Sequence, residues 1–121
     1  MPLYMVEKDM NGVMLLSLRG RVTLGKETES LRAKIKELID AGRLQLILEL
    51  GEVTYIDSVG LSTLVASYTS ALKGGGMLKL LKLPRGVHQQ LQITRLSTVF
   101  EIYDDLETAR HSFSSPEGPR P

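Results

Sequence analysis

The sequence predicts a single mixed α/β domain, with a β-sheet of four to five strands flanked by about four α-helices. Three observations carry that expectation. Two long segments repeat their apolar residues at a helical period, and short, nearly continuous apolar runs follow each of them. Asn11-Gly12 divides the opening of the chain into two strand-like halves. A length of 121 residues gives room for one two-layer core.

The elements follow in order. Leu3 to Lys8 and Val13 to Arg19 are apolar-rich, and the intervening Asp9-Met10-Asn11-Gly12 predicts a hairpin turn, because Asn and Gly both tolerate positive φ. Leu31, Ile35, Leu38 and Ile39 then fall on one face of a helix, with Lys34, Lys36, Glu37 and Asp40 opposite and Ala41-Gly42 closing it. Gln45 to Leu50 reads as a strand buried on both faces. A second helix carries the stripe Leu61, Leu64, Val65, Tyr68 and Leu72 and ends at Gly74-Gly75-Gly76. Met77 to Leu83 is another buried strand. Pro84 opens a third helix with Val87 and Leu91 inward, and Phe100 to Tyr103 forms a short edge strand. Asp104 or Asp105 caps a last helix that turns Leu106, Ala109 and Phe113 inward. Residues 1–112 are thus expected to form the domain and residues 113–121 a disordered tail, since SSPEGPRP is proline-rich and polar.

Composition excludes several classes of function. Fifteen basic residues against fourteen acidic ones leave a net charge of +1, which gives nucleic acid no electrostatic footprint. The densest basic cluster, Lys79, Lys82 and Arg85, reads as a solvated rim. Without cysteine there is no disulfide, no thiolate metal site and no cysteine nucleophile. The opening MPLYMVEKD lacks the pattern of a signal peptide, and no apolar stretch approaches the roughly 20 residues that span a bilayer. A cytoplasmic protein without metal or cofactor is expected, with neither nucleic acid nor membrane as partner.

The segment richest in chemistry is Ile56-Asp57-Ser58-Val59-Gly60-Leu61, between a buried strand and an amphipathic helix. Backbone N–H groups at a helix start lack helical partners, and either Asp57 or Ser58 can accept from them. Gly60 costs helix stability, so its presence there suggests a close backbone approach or a sharp bend. Ser58 itself admits three readings: an N-cap, an exposed contact or modification site, or a nucleophile. A hydrolase elbow would need glycine where Ile56 stands, and a triad would need His88 or His111, both in polar contexts of later helices. An enzyme is therefore not expected.

Glu49 to Leu61, reading ELGEVTYIDSVGL, resembles the signature of STAS domains, in which an apolar strand is followed by Asp-Ser-x-Gly-Leu at a helix start. The likeness extends from the opening hairpin to about Arg110, and includes Leu18-Arg19-Gly20 and Val99 to Asp104. It points to the anti-sigma factor antagonists of that family. The resemblance implies partner switching: the antagonist binds an anti-sigma factor that is also a serine kinase, and so releases a sigma factor. Phosphorylation by that kinase, which supplies the bound ATP, ends the interaction, and a separate serine phosphatase restores it. Carried onto this chain, the acceptor is Ser58, and Asp57, Val59, Gly60, Leu61, Ser62 and Thr23 belong to the partner-binding surface of a monomer or weak dimer. This sequence departs from the family pattern at Ser62, where glycine is common, and at Thr23, where an acidic residue is common. Ser62 and Thr63 are further hydroxyls beside the expected acceptor. The alternative is an unphosphorylated STAS adaptor, a subunit of a transporter or signalling assembly.

Overall fold

A computed structural model describes residues 3–114, with only the backbone of Ser114 included. Ten segments follow one another: β1 (Leu3–Met10), β2 (Val13–Val22), α1 (Lys26–Asp40), β3 (Gln45–Ile56), α2 (Ser58–Lys73), β4 (Met77–Leu81), α3 (Arg85–Ile93), a 3₁₀ turn (Leu96–Thr98), β5 (Ile102–Tyr103) and α4 (Leu106–Ser114). The five strands form one sheet in the order β1-β2-β3-β4-β5. The opening hairpin is antiparallel, with Met10 opposite Val13. Asn11 and Gly12 take φ of 58° and 94°, so the two-residue turn needs both of its residues in the left-handed region. Every later pairing is parallel, which requires a crossover helix between successive strands.

The two faces of the sheet are covered unequally. Leu31, Ile35 and Leu38 of α1, Leu61 and Leu64 of α2, and Val87 and Leu91 of α3 form one core with Leu16, Leu18, Leu46, Leu48, Leu78 and Leu80. On the other face α4 closes a smaller cluster of Val13, Leu15, Ile47, Leu81 and Ala109. Strands buried on both faces cannot alternate apolar and polar residues, which is why β3 and β4 read as continuous apolar runs.

The structure corrects several boundaries. β3 continues past Leu50 to Ile56, because β2 also runs on to Val22 and stays paired with it through two irregularities in register. β4 stops at Leu81, where Lys82 turns to a φ of 59°. Only Ile102–Tyr103 of the last strand pairs. Phe100 instead enters the core, its ring edge-on to Tyr68 with centroids 5.2 Å apart. Leu72 is exposed, and the inward face of α2 is completed by Thr63, Ser67 and Ala71. Small residues let this helix lie close to its neighbours, and the two hydroxyls are satisfied within the helix: Thr63 donates to Val59 O and Ser67 to Thr63 O, both at 2.8 Å.

Lys79 is not part of a solvated rim. It is 5% exposed, and its ammonium donates to Ser112 Oγ at 2.7 Å, pairs with Glu101 at 3.1 Å and lies 4.2 Å from the centre of the Phe113 ring. A buried ammonium is tolerated only with such partners. Phe113 accordingly belongs to α4 and packs against the smaller core. The rest of the expected tail, residues 115–121, lies outside the described residues.

Candidate functional site

The Asp57-Ser58 segment sits at the carboxyl end of β3, where the parallel strands deliver their loops and where open α/β sheets place their sites. Four elements hold it. The backbone N–H of Asp57 donates to Val22 O at 3.3 Å, joining the end of β3 to the end of β2. Gln90 of α3 donates from Nε2 to Ile56 O at 2.9 Å. Arg21 stacks over the Tyr55 ring at 5.0 Å, and the two residues are paired across β2 and β3. From the other side, the loop into α1 contributes the backbone N–H of Leu24, which donates to Asp57 Oδ2 at 2.9 Å.

Asp57, not Ser58, caps α2. Its Oδ1 accepts the Gly60 N–H at 2.8 Å from an extended backbone, the usual N-cap geometry. The carboxylate therefore holds one N–H of its own helix and one from a loop 33 residues away. The Leu24 N–H, followed by that of Gly60, favours the charged form and holds this carboxyl below the ordinary carboxylate range. Ser58 is the first helical residue. It is exposed, and its hydroxyl makes no hydrogen bond with any described residue.

Gly60 fixes how closely the helix approaches the sheet. A Cβ there would stand 2.1 Å from Val22 O and 2.8 Å from Ile56 Cγ2, inside any permitted contact. Glycine lets the first turn of α2 rest on the end of β2, and so sets the height at which Ser58 is presented. One turn on, Leu61 is 8% exposed and Ser62 is exposed. Ser58, Leu61, Ser62 and Val65 line one wall of an open groove of about 390 Å³, and Thr94 and Leu96 line the other. Thr63 points the opposite way and is completely buried.

Thr23 lies in the loop before α1, next to the residue that binds Asp57, and its carbonyl accepts the Thr28 N–H at 3.2 Å. Val59 is partly exposed in the first turn of α2. Sequence reasoning missed Leu24, which is 72% exposed beside the Asp57 cap, and Ile93, which is 82% exposed at the end of α3 next to Thr94. Leu24 was detectable in principle as an apolar residue outside either helical or strand period. His88 and His111 are both exposed, on α3 and α4. Among the described residues no group of three or more His, Cys, Asp or Glu could hold a metal ion, and no helix is long and apolar enough to cross a membrane.

A mixed sheet with crossover helices, opened by a hairpin and presenting an exposed serine beside the aspartate cap of its second helix, defines an α/β domain with a presented hydroxyl. The family model of the STAS domain matches residues 4–109, and the chain belongs to that family. It is 26% identical over 105 residues to BtrV of Bordetella bronchiseptica, described as an anti-sigma factor antagonist, across 87% of this chain and 90% of that protein. Among solved structures, TM1081 of Thermotoga maritima, also described as an anti-sigma factor antagonist, is similar at a TM-score of 0.83 and 23% identity, over 96% of this chain and 95% of that one. The phosphorylated form of SpoIIAA, a cell fate determinant of Bacillus, is similar at a TM-score of 0.71 and 18% identity, over 89% and 97%. At these identities the two structures show a shared fold.

Proposed function

We propose that this protein is an anti-sigma factor antagonist that acts by partner switching in the cytoplasm, and that phosphorylation of Ser58 turns it off. The observation that carries this reading is the division of labour at the start of α2: Asp57 does the capping, and the Ser58 hydroxyl is left exposed, with no hydrogen bond among the described residues. The relatives described as anti-sigma factor antagonists supply the class of partner, an anti-sigma factor. In this reading that partner is also the kinase and holds the ATP. The Ser58 oxygen attacks the γ-phosphorus, its proton passes to a base on the partner, a Ser58 O–P bond forms, and the bond to the β-phosphate oxygen breaks to release ADP. A separate phosphatase reverses the modification by hydrolysis.

The switch follows from local charge. A phosphate brings about −1.5 to −2 charge to a surface that already holds the ionised Asp57. The α2 amino terminus offsets part of it through its remaining N–H groups, so the fold survives. The groove floored by Leu61 and Val65 changes most, because an apolar partner surface pressed there would have to desolvate the phosphate.

Incubating the protein with its anti-sigma kinase and ATP, followed by intact-mass and fragment analysis, tests this reading. One phosphate on Ser58, absent from Ser58→Ala, is expected. Ser58→Asp should bind the anti-sigma factor at least a hundredfold more weakly by calorimetry, with an unchanged melting profile. Phosphate on Ser62, or full binding by Ser58→Asp, overturns the role of Ser58. No incorporation at all would turn the reading to an unphosphorylated adaptor.

A further inference from the structure

The sheet has two edges, and they are unlike. β5 pairs over Ile102–Tyr103 alone. β1 runs for eight residues in unbroken register with β2, and among the described residues no strand pairs with its outer side. It holds neither proline nor bulge, so it offers a flat template for a further strand.

The hairpin decides which groups of β1 face outward. A two-residue turn with φ of 58° and 94° makes its flanking residues, Met10 and Val13, a hydrogen-bonded pair. Lys8, Val6 and Tyr4 follow at alternate positions and direct their backbone groups to β2. The N–H and C=O groups of Leu3, Met5, Glu7 and Asp9 therefore point away from the sheet. Side chains alternate too. Leu3 and Met5 pack on the larger core and Met10 on the smaller one, so Tyr4 and Val6 share the α4 face, outside the cluster that α4 closes. They are 58% and 65% exposed.

The charges of β1 select what can pair there. A second copy adds antiparallel about a twofold axis normal to the sheet, which keeps like faces together and centres the pairing on one residue. Centred on Glu7 or Lys8, the pairing sets that charge against itself, which is unfavourable. Centred on Met5, it spans only Leu3 to Glu7. Centred on Val6, it aligns Leu3 to Asp9 with no like charges opposite: Val6 meets Val6, and Tyr4 meets Lys8. The outward backbone groups of Leu3 and Asp9, and of Met5 and Glu7, are then exchanged. The helices leave room for this. α1 rests over β2, so the two copies of α1 would stand three strand spacings apart, about 14 Å, against a helix diameter of about 10–12 Å.

We infer that β1 is a self-association edge, on which a second copy of this chain pairs antiparallel about Val6 to form one continuous sheet. Association stops at the dimer, because it covers the long edge and leaves only the two-residue β5 edges outside. Since the two sheets run in opposite directions, the Ser58 surfaces point to opposite ends of the dimer and both stay open.

The test begins with sedimentation equilibrium of the full chain. A reversible monomer–dimer equilibrium is expected, with a dissociation constant of about 100 µM or tighter, as suits a small interface. Val6→Cys then supplies the sole thiol of the chain. Its Cα would lie about 4.5 Å from that of the copy, within disulfide reach. On mild oxidation it should link at least tenfold faster than Tyr4→Cys, whose copy would lie about 13 Å further along the strand. Adding Lys8→Cys to Tyr4→Cys should restore fast linkage. Val6→Lys should weaken association at least tenfold with an unchanged melting profile, whereas Ile93→Lys should leave it intact. The cysteine variants test the register even where Val6→Lys disturbs folding. A monomer at every concentration up to about 1 mM would overturn the proposal. So would linkage of Tyr4→Cys as fast as Val6→Cys, or a dimer that survives Val6→Lys and is lost in Ile93→Lys.

Discussion

Two helices of this domain begin on an aspartate, α2 on Asp57 and α4 on Asp105, and they are built differently. Asp105 serves only its own helix: Oδ2 accepts both the Thr108 N–H at 2.9 Å and the Thr108 hydroxyl at 3.0 Å. Asp57 divides its oxygens between Gly60 of its own helix and Leu24 of the β2–α1 loop. Backbone N–H bonds lead the downward pull on both carboxyl groups. The capping chemistry is the same, but only at α2 does it tie the helix to a separate segment of chain. A start that serves folding alone needs one helical turn. A start that also presents a surface needs its neighbours fixed too, and Gly60 against Val22 completes that arrangement.

The strongest break in the comparison is Gly60→Ala. Alanine is normally about 1 kcal/mol better than glycine inside a helix. Here its Cβ would lie 2.1 Å from a backbone carbonyl that cannot rotate away. The clash decides the sign, and the variant should lose about 3 kcal/mol in urea unfolding, with the first turn of α2 displaced. A neutral or stabilised variant would show that the helix lifts freely from β2, and the close-approach account of Gly60 would fail.

Removing the caps should separate the two starts by a smaller margin. Asp105→Ala should lower the urea midpoint only as the loss of an exposed N-cap does, less than Asp57→Ala, with effects confined to α4. Asp57→Ala should cost about 2 kcal/mol, because the Leu24 N–H loses its partner as well. Hydrogen exchange distinguishes them further: Leu24 and Gly60 should both lose protection in Asp57→Ala, whereas nothing beyond α4 should change in Asp105→Ala. Equal costs and equal spread would mean that the bond to Leu24 contributes nothing.

Acid should act through the same groups. A carboxyl whose folded pKa is lowered adds stability above its unfolded value, about 3.9 for aspartate, and that stability is lost as pH falls through the folded value. Unfolding midpoints in urea should thus be flat from pH 7 to about 5 and fall below about pH 4. Asp57→Asn should flatten part of that fall. Unchanged acid sensitivity in that variant would assign it to other carboxyl groups.

What the sequence disclosed and what it withheld divide along the same line, local against long-range. The hairpin turn, both long helices, the buried runs of β3 and β4 and the Asp57-Ser58-Gly60 start were legible because neighbours in sequence determine them. The second half of β3 was not. Gly51 to Tyr55 has no apolar run, and it is a strand because β2 pairs with it through two register irregularities. Likewise the burial of Thr63 and Ser67 depends on helix packing, and that of Lys79 on Ser112, 33 residues further on. At the site, Leu24 and Gln90 reach Asp57 and Ile56 only through the fold.

The smallest expected effect is the most discriminating for Ser58. Had this serine capped α2, Ser58→Ala would cost about 1 kcal/mol, as any lost N-cap does. The structure assigns the cap to Asp57 and leaves Ser58 exposed at the first helical position, where alanine is at least as good a helix former. Urea unfolding of Ser58→Ala should therefore agree with the parent within about 0.5 kcal/mol. A loss of a full kilocalorie would show the hydroxyl bonded to the helix in solution, and an oxygen so engaged would be poorly placed to receive phosphate. An unchanged midpoint, beside the loss in Asp57→Ala, would leave the hydroxyl without a structural role.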